Sequence, residues 1–202
     1  MYFNNCDSAV ITGNQLYSSG GAGYGLYVAG SFGSATSPVL IANNFISGYD
    51  GTRSGAYWGL YVTGGSYTYM YYNSVYSNNL STTSRAVYLV QSSSTQYSRY
   101  FNNNSVHEGG GYPIYLSSIA GIADMNNNNY YSTGANMGYL GANITSIGAW
   151  RTATSKESNS LNSSMTYKSA TDLHTSSVVL NAAGTPISGI TTDIDGANRN
   201  ST

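Results

Sequence analysis

The chain has 202 residues, a formal net charge of −1 and 7% charged residues, against the quarter that is usual in globular proteins. With no basic stripe, we expect no nucleic-acid partner. The 21 Tyr residues disfavour disorder, which usually comes with few aromatic residues. No segment has the apolar length of a membrane span. The single cysteine, Cys6, excludes an internal disulfide and a cysteine-rich metal site.

An Asn-centred motif recurs five times. In each copy an apolar residue is followed three positions later by Asn and two positions after that by an apolar or aromatic residue. The five residues are Asn14, Asn43, Asn73, Asn104 and Asn128, at steps of 29, 30, 31 and 24. Repeats of this length are typical of solenoids. Asn tolerates the left-handed backbone of a bend, and stacked amides can hydrogen-bond between rungs, so we predict a structural Asn ladder.

A second repeat has the pattern small–apolar–Tyr–apolar and occurs at 25–28, 59–62, 86–89 and 113–116. Side chains alternate along a strand, so the apolar pair points to one face and Tyr to the other. We predict an inner core layer and an outward tyrosine column. Its predicted members are Tyr27, Tyr61, Tyr88 and Tyr115. Each coil then contains at least three strands: one before the Asn bend, one after it, and the Tyr strand.

These repeats resemble the right-handed parallel β-helix of the pectate-lyase-like superfamily. The resemblance covers roughly the first two thirds of the chain and implies an all-β solenoid of about five coils. On this interpretation residues 1–135 form the parallel β-helix coils. Residues 136–202 form a C-terminal cap with a short helix and irregular strands.

Four short stretches follow in order at 144–154, 169–174, 184–187 and 191–196. Their order is similar to the C-terminal end of β-helical domains in large secreted surface proteins of Bacteroidetes type. The resemblance implies an extracellular or cell-surface location within a longer exported protein, with flanking domains as neighbours. Such domains usually continue into an acidic tail, whereas this chain ends at Asn200-Ser201-Thr202, so we interpret it as an excised or incomplete module.

The cap should begin with a helix. Thr145 or Ser146 could cap a short helix that contains Trp150. Trp150 would then lie over the open end of the last coil, which otherwise presents unpaired backbone groups; the alternative is that it stacks on a sugar. The apolar residues between Tyr167 and Ile194 could add two or three strands.

The charged residues give little support for catalysis. A hydrolase on this fold needs paired carboxylates on adjacent rungs. A lyase needs a basic residue together with a cation, which can be a Ca²⁺ held by several Asp or Glu side chains. The acids of the coils are scattered: Asp7, Asp50, Glu108 and Asp124. The weak catalytic candidates that remain are His107 and Glu108, with Arg85 or Arg99 as helpers. One rung would carry this His-Glu pair facing outward at the positions where the other rungs carry an aromatic residue and Ser. We expect no catalytic site, no metal and no cofactor.

Three interpretations of the tyrosine column stay open. Tyr favours strands and stacked rings stabilise a sheet, so the column could be structural. It could instead bind glycans, or be covered by the C-terminal segment or by a partner protein. Our hypothesis is a non-catalytic rigid spacer or adhesin-like module, with the tyrosine column contacting a polysaccharide or another surface protein. The alternatives are a polysaccharide-cleaving enzyme and a self-assembling fibre subunit that associates through an open first rung.

Overall fold

The chain winds into a β-solenoid followed by a short helix and an irregular C-terminal segment. A computed structural model describes residues 1–20, 22–49 and 55–200; Asp50 lies outside these ranges. In chain order the strands are β1 (Tyr2–Asn4), β2 (Val10–Thr12), β3 (Gln15–Ser18), β4 (Gly23–Ala29), β5 (Val39–Ala42), β6 (Phe45–Gly48), β7 (Tyr57–Thr63), β8 (Thr68–Tyr71), β9 (Ser74–Ser77), β10 (Arg85–Val90), β11 (Ser98–Phe101), β12 (Asn104–His107), β13 (Tyr112–Leu116), β14 (Ile122–Asn126), β15 (Asn129–Ser132), β16 (Gly138–Leu140) and β17 (Ala142–Ile144). The helix is α1 (Ile147–Thr154).

Every third strand joins the same sheet. Sheet A has the order β1-β4-β7-β10-β13-β16-β17, sheet B contains β2-β5-β8-β11-β14, and sheet C contains β3-β6-β9-β12-β15. Neighbouring strands are parallel, except that β16 and β17 form an antiparallel pair. Five strands in sheets B and C make four steps, so the solenoid has about four turns. The predicted parallel β-helix is confirmed, with a turn count slightly below the five coils expected.

The inward side chains of the three sheets form one core. The predicted apolar pairs of the Tyr strands are at most 2% exposed: Leu26, Val28, Leu60, Val62, Val87, Leu89, Ile114 and Leu116. The small residue before each pair has a steric reason. A Cβ on Gly25 would lie 2.5 Å from Ile46 Cγ2, and one on Gly59 would lie 2.5 Å from Val75 Cγ1. Small residues therefore let sheet A approach the side chains of sheet C.

Helix α1 closes the C-terminal end of the solenoid. Ser146 is its N-cap, with Oγ accepting a hydrogen bond from the Ala149 N–H at 3.2 Å. Trp150 is fully buried, and its ring centre lies 5.8 Å from that of Tyr130. Trp150 is therefore a cap, with no ring face left for a sugar. No helix within the described ranges is long and apolar enough to cross a membrane.

Residues 156–200 are here called the C-terminal segment. Its first residues stack on the last coil, where the Glu157 N–H donates to the Met125 carbonyl at 3.2 Å, and its later residues run along the outside of sheet C. Leu161 still forms a parallel bridge with Asn129, but the later residues make only isolated antiparallel bridges within the described chain. The two or three additional strands that the sequence suggested are absent from this part of the structure. The segment instead places single apolar side chains on the outer face of sheet C. One cluster results, built from Phe45, Tyr76, Val106, Met165 and Leu173.

Candidate functional site

The outward face of sheet A carries a column of tyrosines in one register. The four predicted members are joined by Tyr2 at one end and Tyr139 at the other. The tyrosine column is therefore Tyr2, Tyr27, Tyr61, Tyr88, Tyr115 and Tyr139. The sequence pattern missed both end members because Tyr2 has only Met1 before it and Tyr139 follows Gly138 directly, where the repeat has an apolar residue.

The rings of this column form three stacked pairs. Within the pairs Tyr2–Tyr27, Tyr61–Tyr88 and Tyr115–Tyr139 the ring centres lie 4.6, 4.8 and 4.2 Å apart, with interplanar angles of 3°, 10° and 6°. The two steps between pairs are edge-to-face, at 65° and 78°. Because paired rings cover each other's faces, the column presents mainly ring edges and hydroxyls to solvent.

A second column flanks the first on sheet A. Its members in register are Tyr24, Trp58, Arg85 and Tyr112. Tyr24 stacks on Trp58 with ring centres 5.1 Å apart. The Arg85 guanidinium lies 4.1 Å from the centre of the Tyr115 ring, a cation–π contact. We call the two columns together the aromatic face.

Among the described residues, the side chains of the aromatic face are exposed or half-exposed. Tyr2 is 63% exposed and Tyr24 is 45% exposed, while the other side chains of the face are half-buried. The C-terminal segment packs on sheet C, so its described residues do not cover the tyrosine column, which was one of the interpretations left open above. Burial raises the pKa of Tyr27 and Tyr88, and neighbouring tyrosines add to the shift. These hydroxyls therefore stay protonated and able to donate at neutral pH.

The structure contains an Asn ladder that differs from the predicted one at two rungs. Its members are Asn14, Asn44, Asn73, Asn103 and Asn128; each Nδ2 donates to Oδ1 of the next at 2.9, 2.9, 2.9 and 3.3 Å. Asn43 and Asn104 from the prediction lie outside it. The ladder amides are buried, except at the first rung.

Two successive residues share the bend between sheets B and C, which explains the error. The first has a left-handed backbone, and the second turns its amide inward to the ladder. The left-handed residues, here called the bend column, are Gly13, Asn43, Tyr72, Asn102 and Asn127, with φ between 55° and 69°. The prediction assigned both roles to one Asn. In runs such as Asn102–Asn104, spacing alone does not separate them.

The ladder ends on a buried carboxylate that no sequence motif indicated. Glu157 is 1% exposed. It accepts hydrogen bonds from Asn128 Nδ2 at 3.1 Å and Trp150 Nε1 at 3.4 Å, and from the hydroxyls of Tyr130 and Ser160. Burial raises the pKa of Glu157, and the four hydrogen bonds oppose that shift. Glu157 therefore joins the ladder to helix α1.

The four catalytic candidates do not form one cluster, although the Arg85 charge acts on His107 and, after burial, helps to lower its pKa. They lie on three sheets: Arg85 on sheet A, Arg99 on sheet B, and His107 and Glu108 at the end of the sheet C strand β12. Glu108 is exposed and accepts a hydrogen bond from the Tyr76 hydroxyl at 2.8 Å. His107 is fully buried whereas Glu108 is exposed, so these two neighbours do not face a common cleft.

His107 points into the solenoid, contrary to the prediction of an outward side chain. It aligns with Ser77 and Ser132 and is fully buried. A shift of one residue in register exchanges the two faces of a strand, and the ladder begins this rung one residue earlier than predicted. The His107 Nδ1 accepts a hydrogen bond from the Gly109 N–H at 3.0 Å. Burial lowers the pKa of His107 to about 4, so it is neutral at pH 7.

Neither metal-ligand geometry nor similarity to other proteins assigns a chemistry. Among the described residues no group of three His, Cys, Asp or Glu side chains is placed to hold a metal ion. No protein-family model, curated protein or solved structure matches this chain. The aromatic face is the surface on which a functional argument can be built.

Proposed function

We propose that this chain is a non-catalytic β-helical module of an extracellular or cell-surface protein, acting as a rigid spacer with an adhesin-like surface. The observation that carries the proposal is the open aromatic face of sheet A. Sheet C, by contrast, has its outer face covered by the C-terminal segment. The partner would be a polysaccharide or another surface protein.

The proposed kinship extends the sequence resemblance. We place the chain with the pectate-lyase-like superfamily and with secreted surface proteins of Bacteroidetes type. The parallel β-helix and the order of the C-terminal stretches support this placement. Flanking domains of a longer exported protein are part of the same proposal.

The spacing of the tyrosine column suits an extended polymer. A chain lying along the solenoid axis would meet one tyrosine per rung, about every 4.8 Å. Tyrosine offers an apolar ring together with a polar hydroxyl. Because the stacked pairs hide their inner ring faces, the contacts would come from ring edges and protonated hydroxyls. Trp58 and Arg85 in the second column would widen the surface.

The two alternatives receive less support. A polysaccharide-cleaving enzyme would need its acid and base near one bond, and of its candidates His107 is buried while Glu108 is exposed. A head-to-tail fibre would need two open ends, and α1 with Trp150 covers one of them.

The test is a glycan-array and surface-protein binding screen with the eluted glycans checked by mass for cleavage. We expect binding without cleavage. The double variant Tyr61→Ala/Tyr88→Ala should weaken that binding at least tenfold. Tyr97→Ala is the matched control, because Tyr97 is 46% exposed and stacked on Tyr67 but lies outside sheet A.

Two results would contradict the proposal. Cleaved glycans would establish the enzyme alternative. Absence of binding to both arrays, or binding lost equally in Tyr97→Ala, would leave the tyrosine column as a purely structural ladder.

A further inference from the structure

A groove lies between the C-terminal segment and the bend column. Its volume is about 490 Å³, within the range of small-molecule sites. Its floor is the first outward position of sheet C on four successive rungs: Phe45, Ser74, Asn104 and Asn129. Three steps of about 4.8 Å make the floor about 14 Å long.

The groove has a fixed roof, because the bend column bonds to the backbone of the C-terminal segment. Asn43 Nδ2 donates to the Thr192 carbonyl at 2.9 Å, and the Tyr72 hydroxyl donates to the Thr185 carbonyl at 2.7 Å. The Asn102 amide both donates to the Thr185 carbonyl and accepts from its N–H, each at 2.8 Å. The groove is therefore shaped before any ligand arrives.

The charged groups that line the groove are already engaged. The Arg199 guanidinium donates to Asn43 Oδ1 at 2.8 Å and lies 3.8 Å from the centre of the Tyr72 ring. His174 bridges two aspartates. The Asp193 carboxylate accepts two backbone N–H groups of its own turn. A neutral ligand fits this lining better than a charged one.

The two amides of the floor differ in their hydrogen bonding to the described residues. The Asn129 amide is satisfied by Ser163, at 2.8 and 3.0 Å. The Asn104 amide beside it is half-buried and makes no side-chain hydrogen bond with the described residues. An amide offers two donors and an acceptor, which vicinal hydroxyls can satisfy together. Phe45 and Leu173 also line the groove, but both are buried in the sheet C cluster at 7% and 2% exposure, so they offer only a small apolar edge.

We propose that this groove is a second binding site, separate from the aromatic face, for a short neutral saccharide. Asn104 is the recognition residue, and the C-terminal segment forms the roof. The groove lies over sheet C and the aromatic face over sheet A, so substitutions can separate the two sites.

The experiment is ligand-observed saturation-transfer NMR on the full chain with millimolar glucose, galactose, N-acetylglucosamine, cellobiose and lactose. We expect transfer to at least one of these probes and binding at least tenfold weaker in Asn104→Leu. Leucine has a similar volume without the amide. Binding should be unchanged in Tyr97→Ala, because Tyr97 lies outside both sites, whereas Tyr61→Ala reports any transfer that comes from the aromatic face. Backbone amide shifts on titration should move near Asn104 and Thr185, which tests the site without any substitution.

The outcomes separate the two proposals. No transfer from any of the five probes overturns the groove site, as does transfer that is insensitive to Asn104→Leu with no shift changes at the groove. Transfer abolished by Tyr61→Ala also overturns it, but leaves the aromatic face as the saccharide site.

Discussion

Removing the Glu157 carboxylate by substitution tests whether this side chain stabilises the closed end of the solenoid. In Glu157→Ala the donors of Asn128, Trp150, Tyr130 and Ser160 lose their shared acceptor. Each buried donor left without a partner costs about 1–3 kcal/mol. Relief of the desolvated carboxylate and entry of water offset part of this, which leaves about 3–6 kcal/mol. In a domain of this size 1 kcal/mol shifts Tm by about 2–4 °C, so Tm should fall by on the order of 10 °C.

Calorimetric and circular-dichroism melts at pH 7 measure this effect. Glu157→Gln should be intermediate, because the amide keeps one acceptor oxygen. Glu108→Ala is the matched control: Glu108 is exposed and accepts one described hydrogen bond, from Tyr76, so its cost should stay near 1 kcal/mol. A Glu157→Ala protein that melts within about 2 °C of the parent would refute the closing role, since no buried donor could then depend on this carboxylate.

Three further predictions concern the ladder and the two histidines. Asn103→Ala should lower the free energy of unfolding by about 2–4 kcal/mol, because its buried ladder partners lose their hydrogen bonds. Asn104→Ala should change that free energy by less than about 0.5 kcal/mol. Equal effects of the two substitutions in urea titrations would contradict the observed register. His107 has a pKa of about 4 in the folded state, below its value in the unfolded chain, so the folded state favours the neutral imidazole. The free energy of unfolding should therefore decline by roughly 3 kcal/mol as pH falls from about 6.5 to 4. His107→Gln should flatten that decline, and an unchanged pH profile would argue against a buried neutral imidazole. Burial lowers the pKa of His174, but hydrogen bonds to its two aspartates outweigh burial and raise the pKa overall. The contribution of His174 to stability is therefore complete below its pKa in the unfolded chain and is lost as pH rises through its pKa in the folded state. Hydrogen exchange corrected for intrinsic rates should show the C-terminal segment more protected at pH 5.5 than at pH 8.5, and His174→Gln should remove the difference.

The sequence predicted the inner architecture of the coils well. Leu26 and Val28 alternate with Tyr27, and this pattern recurs at steps of 34, 27 and 27 residues. Period-two alternation therefore predicted which side chains are buried. Tyr61, Tyr88 and Tyr115 fall in register for the same reason. These predictions depend only on the alternation of side chains along a strand and on the same type of residue occupying the same position on successive rungs.

The position of single residues at the bends was harder to predict. Asn43 and Asn44 are chemically identical, and only the backbone decides which one takes the left-handed conformation and which one joins the ladder. One residue of error is enough to turn a side chain from one face to the other. This is why His107 was expected on the surface and is buried.

By itself, the sequence determined a parallel solenoid with a tyrosine column and a helical cap at Trp150, because repeated or adjacent residues specify each of these features. Only the tertiary structure decided the course of the C-terminal segment, the open state of the aromatic face and the groove beside Asn104. Those features depend on contacts between residues more than 80 positions apart, such as Asn102 with Thr185 and Asn43 with Thr192. Such contacts follow from where the folded solenoid places its outward side chains, and no local pattern encodes them.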